Sequence, residues 1–176
     1  LLDPRVVFER HKIQGYTDRG IKLDNGKTLE GELIKKYFVD SLDVVIAVCT
    51  IGDLLDGFAA STFSQSPALA MALEGLGSAS TELLGNSFCN YLESLVSEEG
   101  LFTNLPINPG MRDWPVEEGQ PQIFRILDTS SIGVTLDTTG LMKPLKSLSM
   151  VIGLGYSADK HAKSCDLCSL QKTCIY

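Results

Sequence analysis

The feature that most constrains this chain is Asp43 followed by Val44-Val45-Ile46-Ala47-Val48-Cys49, six apolar residues in a row, four of them β-branched. A run without polar alternation fits a strand buried on both faces, and such a strand needs covering elements on each side. At six residues it falls far short of the roughly 20 that cross a bilayer, so no membrane span is expected. The 176 residues suffice for one core but not for two ordinary domains. Apolar residues make up 44%, charged residues 21%, and mean hydropathy is +0.10, the composition of a packed globular domain. Fifteen Lys+Arg against 22 Asp+Glu leave a formal charge of -7, which opposes binding to a phosphate backbone, and no nucleic-acid partner is expected.

Before the strand, Asn25-Gly26 lies between Ile21-Lys22-Leu23 and Thr28-Leu29, a hairpin-turn or loop signal, and the first thirty residues read as irregular or as a short hairpin. Leu33, Ile34, Tyr37 and Phe38 predict a helix over residues 28–41. Residues 53–63 and 67–96 read as two further helices. The second is Ala-rich, with its period carried by Leu73, Leu76, Leu83, Leu84, Phe88, Tyr91, Leu92 and Leu95, and with Gly75 and Gly77 placed for close backbone approach. Residues 101–105 read as extended and 117–127 as a helix. Residues 132–136 and 146–153 read as strands joined by a Gly/Met/Pro loop. Helices grouped early and strands late indicate α+β rather than repeated βαβ units. Residues 1–156 are expected to form one domain, and 157–176, polar and basic, a cysteine-rich appendage.

Three segments carry chemistry. Cys165-Asp-Leu-Cys168, with Cys174 six residues further on, lets two thiolates approach one metal from a tight turn while a third closes around it. An iron–sulfur cluster would need a fourth ligand from Cys49, Cys89 or a partner, whereas zinc could use His161. Lys160, Lys163 and Lys172 add positive charge around the thiols. The competing reading is a flexible tail with free or oxidised thiols. Five cysteines, three of them crowded at one end, fit a reducing cytoplasm better than a secreted disulfide framework, and no signal peptide is visible at Leu1-Leu2-Asp3-Pro4-Arg5. The second segment, Asn108-Pro109-Gly110-Met111-Arg112-Asp113-Trp114-Pro115, describes a rigid loop whose backbone can approach a ligand, or a connection with Trp114 as a core plug. The third, Gly140-Leu-Met142-Lys-Pro144-Leu-Lys-Ser147-Leu-Ser149, is on its own an ordinary strand connection. With His11 and His161 both in apparently peripheral segments, no Ser-His-Asp or Cys-His assembly is expected. Asp53, Asp56, Glu117 and Glu118 read as helix-start charges.

Taken in order, Asn108-Pro-Gly-Met111, Asp113-Trp-Pro115, Gln122-Ile-Phe-Arg-Ile-Leu-Asp128, Ile132-Gly-Val-Thr-Leu136 and Met142-x-Pro144-x-x-Ser147-x-Ser149 resemble the activation domain of vitamin B12-dependent methionine synthase, closest to its short free-standing members. The resemblance is strongest over residues 105–153. It implies an α+β fold with helices packed on a curved, mainly antiparallel sheet. It also implies S-adenosylmethionine bound at Asn108, Pro109, Gly110, Met111 and Arg112, and a surface of Met142, Pro144, Ser147 and Ser149 facing a corrinoid. The metal ligands expected in the tail are Cys165, Cys168 and Cys174. The implied role is reductive reactivation of cobalamin on a separate methyltransferase such as methionine synthase, with a flavodoxin or ferredoxin as reductase. The chemistry would consist of holding a methyl donor beside cobalt so that transfer becomes effectively unimolecular. This sequence departs from the family's Arg-x-x-Pro-Gly-Tyr pattern. Pro106 and Met111 stand where the carboxylate-binding arginine and the tyrosine would be, leaving Arg112 or Arg125 as substitutes. An iron–sulfur electron carrier or redox sensor that has lost S-adenosylmethionine is the alternative.

Overall fold

The computed structural model describes residues 1–157, 164–168 and 173–174. The apolar run is the strand Asp43–Thr50, here β4, and all eight of its residues are buried. It lies inside a curled six-stranded antiparallel sheet. In spatial order the strands are β3 (Thr28–Glu30), β2 (Gly20–Leu23), β1 (Arg5–Tyr16), β4, β8 (Ser147–Gly155) and β5 (Phe102–Thr103). Successive side chains of a strand point to opposite faces. Val44, Ile46 and Val48 therefore enter one core, with Phe38, Trp114 and Ile123. Val45, Ala47 and Cys49 enter another, with Phe88, Leu92 and Val96. The first core is covered by α1 (Glu32–Tyr37) and α4 (Val116–Ile126), the second by α3 (Pro67–Ser97), on which α2 (Leu54–Thr62) packs. This is the expected α+β architecture, with helices on both faces of one antiparallel sheet.

Several elements differ from expectation. The first thirty residues are not irregular: β1 is twelve residues long and pairs with β4 from Arg5↔Thr50 to Lys12↔Asp43. Its charged side chains hide the strand because much of it is exposed, and a bulge between Ile13 and Gly15 interrupts the alternation. The Asn25-Gly26 turn does join β2 to β3, with Gly26 at φ +80° and Leu23 N–H donating to Lys27 O at 2.9 Å. Thr28–Glu30 thereby completes a hairpin instead of opening a helix, and the helix starts only at Glu32. Helices early and strands late is thus overturned, since four of the eight strands among the described residues lie within the first fifty positions. Residues 132–136 are not one strand. Ile132 ends a 3-10 turn, Gly133 takes φ +68°, and β6 (Thr135–Leu136) pairs with β7 (Met142–Lys143) in a separate ribbon, while β8 joins β4.

The apolar period of α3 found only part of its buried face, Phe88 and Leu92. Leu76, Leu83, Tyr91 and Leu95 are exposed, whereas Ala70, Gly77, Thr81, Gly85, Phe88, Leu92 and Val96 face inward. Small residues are buried because the helix axis runs close to the sheet. A Cβ on Gly85 would come 2.7 Å from Leu148 Cδ2, and one on Gly77 2.9 Å from Lys146 Cε. Gly75, by contrast, faces open space.

Candidate functional site

The loop after β5 is pinned at both ends. Ile107 is fully buried and exchanges 2.9 Å backbone hydrogen bonds with Val151 of β8, and Asn108 Nδ2 donates to Ser149 O at 2.8 Å. Further on, Gly110, at φ +100°, donates its N–H to Trp114 O at 2.8 Å, closing the turn. Trp114 is completely buried. Cβ atoms on Gly31 and Gly119 would lie 2.6 and 2.8 Å from its indole, so two missing side chains create its slot. The motif is therefore both a core plug and a rigid loop, because the plug anchors the loop.

The loop, β8 and α3 enclose a cleft of about 490 Å³, within the range of small-molecule sites. From α3 come Ser78, Thr81, Glu82, Gly85, Asn86 and Cys89. Pro106, Asn108 and Met111 come from the loop, and Leu145, Lys146, Ser147, Leu148 and Met150 from the approach to β8 and β8 itself. The cleft opens where the α3 residues are small; one turn further along, Phe88, Leu92 and Val96 fill the space as core. Its floor is apolar and sulfur-rich, with Cys89 Sγ 3.9 Å from Met150 Sδ. Burial pushes the Cys89 thiol pKa up, keeping it neutral and a poor nucleophile. Thr81 Oγ1 is spent on Gly77 O at 2.9 Å, and Ser147 Oγ donates to Pro144 O at 2.7 Å. Among the described residues Lys146 is the one cation in the wall, with Nζ 2.6 Å from Glu74 Oε2, 3.5 Å from Ser78 Oγ and 3.9 Å from Asp56 Oδ1. Burial raises the Asp56 pKa, an effect opposed by Lys146. The cleft thus combines an apolar floor with a carboxylate, a carboxamide and an ammonium.

The residues expected to bind S-adenosylmethionine and those expected to face a corrinoid are not kept apart by the structure, and some of each reach the cleft. Asn108, Met111 and Ser147 line the cleft together, joined by Pro106. Pro109 instead packs beside Gly119, and Gly110 points its α-carbon toward Val116, so neither lies in the wall. Arg112 is directed to the tail, its N–H donating to Leu167 O and its guanidinium to Cys168 O, both at 3.1 Å. Arg125 is at the end of α4, which packs on the first core, on the other face of the sheet from the cleft. Met142 packs against the first core. Pro144 lines a different depression, with Asp53, Asp56 and Lys143. Ser149 is buried, with Oγ donating to Gln120 Oε1 at 3.0 Å.

Cys165 is exposed, Cys168 half-buried and Cys174 exposed. The Cys-x2-Cys pair does sit on a tight turn, Ser164–Leu167, with Cys168 N–H donating to Cys165 O at 3.2 Å. Among the described residues no three His, Cys, Asp or Glu side chains are gathered to hold a metal. His161, Lys160, Lys163 and Lys172 lie outside the described residues. Leu167 nonetheless packs against the first core. His11 is not peripheral: it is buried on β1, with Nδ1 3.0 Å from Asp24 and Nε2 3.2 Å from Glu9. The α3 wall was missed in the sequence. Its signal was the small-residue spacing Gly77-Thr81-Gly85, which marks a helix lying close to another element.

A crystal structure of the MetH reactivation domain bound to AdoHcy superposes on this chain with a TM-score of 0.65 and 16% identity, covering 92% of this chain and 61% of that one. The protein has the fold of a MetH reactivation domain. It spans less than two thirds of the length of that solved MetH chain. No family model and no curated protein sequence matches it. Among the described residues, no helix of this reactivation-domain fold is long and apolar enough to cross a membrane.

Proposed function

We propose that this protein binds an S-adenosyl ligand in the cleft between α3 and β8 and acts, in the cytoplasm, in the reductive reactivation of a corrinoid carried by a separate methyltransferase such as methionine synthase. The observation that carries this reading is a small-molecule cleft walled by Asn108, Met111 and Ser147 on a fold shared with a reactivation domain solved with AdoHcy. The fit of a nucleoside is good. Leu148, Met150 and Met111 offer apolar surface for a flat ring, and Glu82 and Asn86, whose side chains make no hydrogen bond among the described residues, can receive or donate to ribose hydroxyls. S-adenosylmethionine, when bound, supplies an electrophilic methyl group. The chain's own residues bind and orient: the Asn108–Ser149 bond and the Trp114 plug hold the loop still, so the ligand meets a preformed wall. A corrinoid and its reductase, a flavodoxin or ferredoxin, would belong to partners.

Calorimetric titration with S-adenosylhomocysteine tests the reading. Saturable one-to-one binding is expected, accompanied at a hundredfold excess over Kd by about 2.7 kcal/mol of added stability. Absence of binding at millimolar ligand overturns it.

A further inference from the structure

Cys165 and Cys168 belong to a turn that the body of the protein holds in place. Cys165 lies in the 3-10 turn Ser164–Leu167, and the Cys168 N–H donates to Cys165 O at 3.2 Å. A bond from residue i+3 back to residue i is the 3-10 pattern, in which side chains three apart lie over one another on one face. It also holds the two α-carbons within about 7 Å. A disulfide spans about 4.4–6.8 Å between α-carbons, so the turn brings its two thiols to one face at a separation that a single bond can close.

Three contacts fix this turn. Leu167 packs against the first core, the Arg112 N–H donates to Leu167 O, and the Arg112 guanidinium donates to Cys168 O, both bonds at 3.1 Å. An anchored turn keeps two thiols together without the entropy loss of gathering them from a loose chain. The pair also differs in access, Cys165 being exposed and Cys168 half-buried. That asymmetry assigns an order: the exposed sulfur meets an incoming disulfide first, and the sheltered one resolves the adduct. Cys49 in β4 and Cys89 in the cleft are unsuited to this chemistry, because burial raises both thiol pKa values and keeps them protonated.

We propose that Cys165 and Cys168 form a two-electron dithiol–disulfide couple that exchanges with low-molecular-weight disulfides of the glutathione class. The Cys165 thiolate attacks one sulfur of the small disulfide, whose S–S bond breaks, and the departing thiolate takes a proton from water. Cys168, losing its proton to water, then attacks Cys165 Sγ, breaks the mixed disulfide and releases the second small thiol. Two protein thiols are thereby oxidised to one disulfide, and one small disulfide is reduced to two thiols. The couple does not depend on the S-adenosyl reading of the cleft.

The test is equilibration of the anaerobically purified full chain, its metal content measured first, with graded ratios of reduced to oxidised glutathione, followed by acid quenching, alkylation and peptide mass spectrometry. One disulfide, Cys165–Cys168, should form at a single midpoint with no accumulated glutathione adduct on either sulfur. Cys168→Ser should instead trap glutathione on Cys165, because the resolving sulfur is gone. Arg112→Met removes one anchor and should lower the exchange equilibrium constant about fivefold, the scale of one hydrogen bond, with the far-UV circular dichroism unchanged. An unshifted constant in that variant overturns the anchored turn as the basis of the couple. A disulfide joining Cys174 to either sulfur at the same ratios, glutathione left on Cys165 of the wild type, or stoichiometric zinc or iron that blocks both thiols overturns the couple itself.

Discussion

Trp114 ties the stability of the core to the shape of the cleft, and its replacement separates two physical effects. Trp114→Ala empties a slot that is fully closed to solvent and bounded by Gly31 and Gly119, neither of which has a side chain to fill the void. Transfer and cavity costs together reach about 3–5 kcal/mol, a large share of a typical domain's 5–15 kcal/mol, roughly. Trp114→Phe keeps most of the ring and discards Nε1–H, which is buried without a hydrogen-bond partner among the described residues. Losing the smaller ring costs about 2 kcal/mol, and removing an orphan donor returns about 1–2 kcal/mol, so the net change should be about 1 kcal/mol or less. Urea unfolding followed by far-UV circular dichroism reads both differences at a common m value and does not depend on tryptophan fluorescence. The Phe variant should also retain S-adenosylhomocysteine binding, because the Gly110–Trp114 backbone bond survives the substitution. A Phe variant as damaged as the Ala variant would show that the indole N–H is stabilising and refute this account of the plug.

Two further outcomes follow from charged and titrating groups. Arg10 donates to Asp43 at 2.7 Å and to Glu99 at 2.8 Å, and the Asp43 side chain is only 10% exposed. Arg10→Met should therefore cost about 1–3 kcal/mol in urea unfolding, and the double variant with Asp43→Asn should recover most of it; no recovery would place the cost in lost packing. Burial pushes the Cys49 thiol up to about 11 from an ordinary 9.0. The folded state holds this proton more tightly, so the contribution is full below pH 9 and is lost as pH rises through 11. Unfolding between pH 8 and 11.5 should show an alkaline loss of order 2 kcal/mol that Cys49→Ala lacks, and identical profiles would mean that the thiol is not desolvated.

The expectation about nucleic acid comes from charge and composition, which need no fold. The cleft is different: only the side of α3 that turns inward shows it, and side-chain size misleads about that side. Leu76 and Leu83 are the residues a periodicity argument would bury, yet they face solvent, while Gly77, Thr81 and Gly85 face the sheet. A helix can approach a sheet closely only through small residues, so proximity inverts the usual link between hydrophobicity and burial.

What the sequence by itself determined is local: a strand buried on both faces from its unbroken β-branched run, a turn at Asn25-Gly26, the extents of α2, α3 and α4, and a rigid Pro/Gly loop carrying a tryptophan. These follow from dihedral preference and periodicity, which act over a few residues. Only the tertiary structure decided that the charged β1 pairs with β4, that Arg112 serves the tail, and that Glu82, Lys146 and Asn108 share one cleft. Those relations join residues 26 to 64 positions apart, and no local preference encodes which distant backbone or side chain will be the neighbour.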